Sequence, residues 1–284
     1  VAACLMGPLT GYRVWFEEKY HQRSNSWMLM VASFGFVIST LPVQILLPMI
    51  GWRSIFLLIS ILILLSIILI LVFTPSWNNN PKNTITQEKG NLSDVWKNKF
   101  FISLIPLCFL NYGGVQAVQT LWAGPWMLNV AGYSPLDSAT GLFWINITML
   151  FAFMFWGYIL PKFSSLGIDS IKIVKIGLPI SYVVLFSIII MGQNAGAIMF
   201  TLYILSSIVL SLTQPALALS FPQNLAGKSL TSINVFIHSG TFFVQWGIGL
   251  LIDLSKNMGA NTVTSYKISF LSLIHISEPT RLDH

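Results

Sequence analysis

Hydrophobic residues in this chain gather into runs of about twenty, separated by short polar breaks. At 1.5 Å of rise per residue, a run of that length crosses a bilayer as a helix. The runs fall at 26–48, 53–74, 101–122, 140–160, 171–191, 196–217 and 231–254, and another starts near 264. An apolar opening from Val1 to Phe16 is too short to span unaided. The pattern predicts an all-α polytopic membrane protein. Only one long polar stretch interrupts it, Pro75 to Lys99, whose Asn, Lys, Pro, Gly and Ser residues predict a linker between three preceding helices and six following ones.

Composition agrees with the pattern. The 284 residues are 55% hydrophobic and only 8% charged, against about 25% charged in soluble domains. That leaves room for eight or nine helices and excludes both a single-span receptor and a disulfide scaffold. The two cysteines, Cys4 and Cys108, lie in apolar runs and read as small buried hydrophobes.

The net charge of +6 is a matter of topology. If the spans alternate, Arg13, Lys19, Arg23, Lys82, Lys89, Lys97, Lys99, Lys162, Lys172, Lys175 and Lys228 all lie on one side of the membrane. Only Arg53, Lys256 and Lys267 fall on the other. By the positive-inside rule the first set faces the cytoplasm, and no nucleic-acid partner is expected.

Both ends stand apart from this pattern. The chain opens without an initiating methionine inside an apolar stretch, as though cut. Leu271 to Arg281 reads LSLIHISEPTR, similar to the translation of a transposase sequencing adapter. Residues 271–284 are therefore expected to be a scar of sequencing or cloning.

Polar residues inside the spans need a partner or a wet cavity. The runs at 53–74 and 171–191 are nearly aliphatic and are expected to face lipid all round. The others carry stripes. At 100° per residue, Ser26, Ser33, Thr40 and Gln44 share one face of the first full span. Tyr112, Gln116 and Gln119 do so in the third, followed by Trp126, with Asn111 to one side. Tyr203, Ser207 and Gln214 repeat the device at 196–217. Asn234, His238, Thr241 and Gln245 follow a 4, 3, 4 spacing in the last full span, and Asn146 is the single polar residue midway along 140–160. Two readings are open: interhelical hydrogen bonding, common for such residues, or the lining of a shared polar cavity. Four striped helices favour the cavity.

Several local motifs then carry a resemblance. Pro48-Met49-Ile50-Gly51-Trp52-Arg53, followed by Phe56, is similar to the GWR-xx-F junction between helices five and six of the major facilitator superfamily. Leu121-Trp122-Ala123-Gly124-Pro125-Trp126 resembles the outer end of its helix seven. Phe221-Pro222, Ala226-Gly227-Lys228 and Asn234, leading into Gln245-Trp246-Gly247-Ile248-Gly249, resemble its passage from helix ten into eleven. The resemblance runs from Val1 to about Phe270 and implies family helices four to twelve, with four and twelve truncated. It implies that residues 1–74 are the remnant of an N-terminal six-helix bundle, 75–99 the central cytoplasmic linker and 100–270 the C-terminal bundle. The first three and a half helices are expected to be missing. Ser33 to Pro42 lack the Gly-Pro pair of the antiporter signature, which argues against drug export by proton exchange. The basic loop motif after helix eight survives as Gly157, Lys162 and Gly167.

The resemblance implies a secondary transporter working by alternating access, with one site at the midplane between two bundles. No HExxH, phosphate-binding loop or GxSxG appears, so an enzyme is not expected. The alternative class is a non-transporting membrane sensor or a membrane-embedded enzyme. The expected substrate-binding residues are Thr40, Gln44, Tyr112, Gln116, Gln119, Asn146, Tyr203, Ser207, Asn234, His238, Thr241 and Gln245, an uncharged lining suited to a small solute. No cofactor or metal is expected; proton or other ion coupling would fall to His238 or to the absent helices. The expected setting is a bacterial cytoplasmic membrane, with the full-length protein a monomer in the lipid bilayer.

Overall fold

A computed structural model of the protein describes residue 28 and residues 31–73 and 91–276. The opening run, Ser26, most of the polar linker and residues 277–284 lie outside the described residues. Beyond a helical stretch at 31–38 that ends in turns at 39–40, eight helices follow among the described residues: α1 (Leu41–Phe73), α2 (Leu92–Trp96), α3 (Lys99–Asn129), α4 (Pro135–Ser165), α5 (Ser170–Met191), α6 (Ala197–Ala218), α7 (Gln223–Asn257) and α8 (Thr262–Ile276). All but α2 and α8 are long and apolar enough to cross a bilayer.

Short polar side chains set most of the starts, each accepting from a backbone N–H that helix geometry leaves unpaired. Asn98 accepts from Phe101 at 3.0 Å, Ser134 from Asp137 at 3.1 Å, Asp169 from Ile171 at 3.4 Å and Asn261 from Thr264 at 2.8 Å. α7 starts eight residues before the apolar run that predicted it, because the polar segment from Gln223 to Leu230 is helical as well. The linker also ends in structure. Asn91 and Asp94 cap α2 reciprocally, Val95 is buried, and Trp96 packs edge-on against Phe101 and Phe236.

The two runs expected at 26–48 and 53–74 meet at Gly51. Its φ of 73° and ψ of 160° break the helix inside α1, a conformation glycine adopts without a Cβ penalty. No residue of α1 is buried among the described residues. The expectation for 171–191 needs correction. α5 buries Val174, Leu178, Ser181, Leu185 and Ile188 on one face and exposes Ile176, Ile180, Val183, Phe186 and Ile190 on the other. An aliphatic run does not reveal which half of it meets protein, because lipid and core are equally apolar. α8 runs on past Phe270 to Ile276, with Leu273 buried in the core.

Two apolar cores fill the bundle of α3 to α8. One, toward the Asn129 end of α3, centres on Trp126, Phe200, Tyr266 and Phe270; the other, toward the Lys99 end, on Phe101, Leu104, Leu217, Phe221 and Ile237. Trp126, placed on a polar stripe by sequence spacing, is fully buried in the first, and its indole N–H donates to the Ala195 carbonyl at 3.1 Å.

Three helices depart from regular geometry just before a proline. Turns at 39–40 precede Pro42, a π-helical turn at Val118–Trp122 precedes Pro125, and a 3₁₀ turn at Ile208–Leu212 precedes Pro215. A proline has no N–H for the carbonyl four residues back and its ring crowds that carbonyl, so the preceding turn widens or tightens. α3 has a second π-helical turn at Leu107–Tyr112.

The tightest helix crossing joins α3 to α7. A Cβ on Gly113 would lie 2.8 Å from the Gly240 carbonyl carbon, and one on Gly240 would overlap the Phe109 carbonyl oxygen. Backbone meets backbone, with no side chain able to yield. Gly240→Ala is expected to lower stability by about 3 kcal/mol, at the upper end for overpacking. Gly247→Ala, where a Cβ meets nothing within 4 Å, should leave stability unchanged or raise it by up to ~1 kcal/mol through helix propensity. Thermal unfolding of the detergent-solubilised variants checks both, and equal stability of the two would refute the contact.

Candidate functional site

Close approach at Gly113 and Gly240 puts short polar side chains of α3 and α7 within reach of one another. One turn along, the Thr241 hydroxyl lies 2.9 Å from both Gln116 Oε1 and the Ile237 carbonyl and shares its one proton between them. One turn further, Gln245 Nε2 donates to the Thr120 hydroxyl at 2.9 Å, and the Trp122 indole N–H donates to the Gln245 carbonyl at 3.2 Å. On the neighbouring side of α3, Gln119 Nε2 donates to Asn146 Oδ1 of α4 at 3.2 Å and approaches Met149 Sδ at 2.9 Å. These residues form a polar seam across α4, α3 and α7. Gln214 of α6 extends the set by donating to Asn234 Oδ1 at 3.3 Å. His238 lies between Asn234 and Thr241 on α7 and is exposed.

Five of the predicted residues, Gln116, Gln119, Asn146, Thr241 and Gln245, are thus gathered on one seam, with Asn234 and His238 continuing it along α7. Tyr112, Tyr203 and Ser207 are not. Tyr112 packs against the core at the Lys99 end. Tyr203 is buried in the other core, and the Ser207 hydroxyl donates back to the Tyr203 carbonyl at 2.7 Å. The 3₁₀ turn accounts for the separation: it advances about 120° per residue instead of 100°, so Gln214 no longer shares a face with Ser207. Thr40 and Gln44 are half-buried around the start of α1, which packs on α4, the helix that carries Asn146. The Thr40 hydroxyl donates to the Val37 carbonyl at 2.7 Å.

Sequence spacing missed Thr120, although it lies one helical turn from Gln116 and so close to the same face. It also missed the pairing of Asn111 with Tyr182, whose hydroxyl donates to Asn111 Oδ1. No local signal joins residues seventy positions apart.

Every seam residue is uncharged apart from the titratable His238. Among the described residues, no group of three His, Cys, Asp or Glu side chains is placed to hold a metal ion. The arrangement suits hydrogen bonding to a polar, compact molecule, and its paired amides and hydroxyls can exchange partners without burying a bare charge.

A bundle of long apolar helices carrying a seam of polar side chains defines an all-α integral membrane protein. The family model described as Major Facilitator Superfamily matches residues 12–245, and the chain belongs to that family, one of membrane transporters rather than enzymes. No curated protein matches the chain, and no solved structure does.

The Gln116–Thr241 bond makes a quantitative prediction. A double-mutant cycle of Gln116→Ala and Thr241→Val should show a coupling of about 0.6 kcal/mol, the mean for interhelical hydrogen bonds in a bilayer, and no more than about 1.7 kcal/mol, their maximum. Thermal or denaturant unfolding measures it, and additive effects would mean the pair does not interact.

Proposed function

We propose that the protein is a secondary active transporter that moves a small uncharged or weakly charged polar solute by alternating access. The observation that carries this reading is the seam of neutral donors and acceptors formed by Gln116, Gln119, Asn146, Thr241 and Gln245 within a bundle otherwise packed by apolar side chains. His238 and Asn234 continue it and would meet the solute from α7; Gln44 and Thr40 would approach from the N-terminal bundle. Family architecture, with one site between two bundles, supports the same placement.

Energy would come from an ion gradient or from the solute's own. His238 is the titratable side chain on the α7 stripe and the natural carrier for a proton. Lys97, Lys99, Lys162, Lys172, Lys175 and Lys228 fall near helix ends on one side if the spans alternate, and by the positive-inside rule that side would face the cytoplasm. The membrane is taken to be a bacterial cytoplasmic one, and the full-length protein a monomer.

Uptake assays in cells expressing the full-length gene test the assignment, using a solute first identified by comparison with non-expressing cells. Gln119→Ala and His238→Ala are each expected to reduce uptake at least about tenfold, equivalent to ~1.4 kcal/mol, at unchanged membrane abundance. Undiminished uptake of the proven solute by both variants would sink the site.

A further inference from the structure

A glutamine can offer a solute either an acceptor oxygen or a donor nitrogen, and two side chains of the seam decide which. The Thr120 hydroxyl stands 2.7 Å from the Gln116 carbonyl oxygen. Two oxygens that close need a proton between them, and a backbone carbonyl has none to give, so the single hydroxyl proton of Thr120 is spent there. Toward Gln245 the hydroxyl then offers only lone pairs, and the amide meets it with Nε2 at 2.9 Å. On α4 the Met149 thioether can only accept. It faces Gln119 Nε2 at 2.9 Å, and the same nitrogen donates to Asn146 Oδ1 at 3.2 Å. In both glutamines the nitrogen is turned into the protein. Among the described residues neither Gln119 Oε1 nor Gln245 Oε1 has a hydrogen-bond partner, and both side chains are only half-buried, within reach of water. Gln116 is held differently. The Thr241 hydroxyl lies 2.9 Å from both its Oε1 and the Ile237 carbonyl, and with the proton on Ile237 the Gln116 amide can turn over.

We propose that Thr120 and Met149 are positioning residues that fix the polarity of the seam, holding Gln245 and Gln119 with their carbonyl oxygens toward the solute, so that the solute is recognised through its own O–H or N–H groups. This rests on the transport reading and narrows it. A solute bearing hydroxyl or amide hydrogens satisfies both oxygens as it displaces water from them. A carboxylate or phosphate would set its lone pairs against theirs and leave them unpaired. Gln116, free to turn, takes either a donor or an acceptor of the same solute.

The test is competition for uptake in cells expressing the full-length gene, with the solute identified there as tracer and two kinds of its analogues as probes. In one kind a single O–H is replaced by fluorine or a single N–H by N-methyl, which removes a donor. In the other a carbonyl or ether oxygen is replaced by methylene, which removes an acceptor. The ratio of competing strength between solute and analogue is read within one variant, so the amount of protein in the membrane does not enter it. Removing a recognised donor is expected to weaken competition at least about tenfold, because a glutamine oxygen is left unpaired, and removing an acceptor to cost less. Thr120→Val keeps the shape but lets the Gln245 amide turn its nitrogen outward, and the ratio for the donor that meets Gln245 should shrink to about threefold or less. Thr120→Ser, which keeps the hydroxyl, should retain the discrimination. Should Thr120→Val not reach the membrane, Met149→Leu removes the accepting sulfur at similar volume and should shrink the ratio for the donor that meets Gln119. Ratios unchanged in both variants, or competition lost with an acceptor and not with a donor, would overturn the fixed polarity. In either case, loss of uptake in Gln119→Ala and His238→Ala would leave the transport reading standing.

Discussion

The arrangement of this bundle depends on the contact between Gly113 and Gly240. In a bilayer, helices gain nothing by hiding apolar surface from lipid, so association rests on close packing and hydrogen bonds. Two glycines at one crossing let the α3 and α7 backbones touch, with the Phe109 carbonyl against Gly240. Side chains as short as threonine then reach across. Thr241 meets Gln116, and Thr120 meets Gln245 one turn further on. With alanine at either glycine, the helices would have to part, and each of these bonds would lengthen with them. The polar seam is therefore a consequence of backbone proximity as much as of polar sequence.

The apolar cores divide the labour differently. Toward the Asn129 end, Trp126 lies 4.7 Å from Phe270 between ring centroids, the rings tilted at 53°, and packs edge-on against Phe200 and Tyr266, while Asn129 Nδ2 donates to the Tyr266 hydroxyl at 3.1 Å. Lys267 Nζ donates to the Ile190 carbonyl at 3.3 Å, next to the tight turn at Gly192. That end of α3 is held by large rings and by two neighbouring connections. Midway along, the π-helical turn before Pro125 spaces backbone hydrogen bonds more widely, and this is the stretch that carries Gln119 and Thr120. Rigid anchoring beside a distorted, polar turn is the combination expected where a helix is bent without being melted.

Much of this was legible in the sequence. The runs of apolar residues located every candidate span, and the 4, 3, 4 spacing on α7 did identify side chains on one edge of that helix. The reckoning at 100° per residue failed where turns are not α-helical. Tyr203 and Gln214 drift apart across the 3₁₀ turn, and Trp126 leaves the stripe beyond a π-helical one. The prolines at 42, 125 and 215 were the visible sign that helical phase would not carry through. Other features had no local sign at all. Nothing near Gly113 marks Gly240 as its partner, and the aliphatic surface of α5 reads the same whether it meets lipid or Leu185's neighbours in the core.

On the proposed reading, neutrality is what makes the seam workable. An ion pair buried in the bundle would cost several kcal/mol to separate when one partner moved away. Interhelical hydrogen bonds between neutral groups average about 0.6 kcal/mol in a bilayer, because the separated state finds other partners. Gln119 releasing Asn146, or Thr241 releasing Gln116, therefore loses little as long as a solute hydroxyl, amide or water takes the vacated position. A site whose walls are satisfied by one another and by water when empty, and by the solute when full, presents no unpaired group in either state. That balance lets the bundle pass between conformations with barriers set by helix packing, and the Gly113–Gly240 contact then becomes the fixed point about which α3 and α7 keep their register.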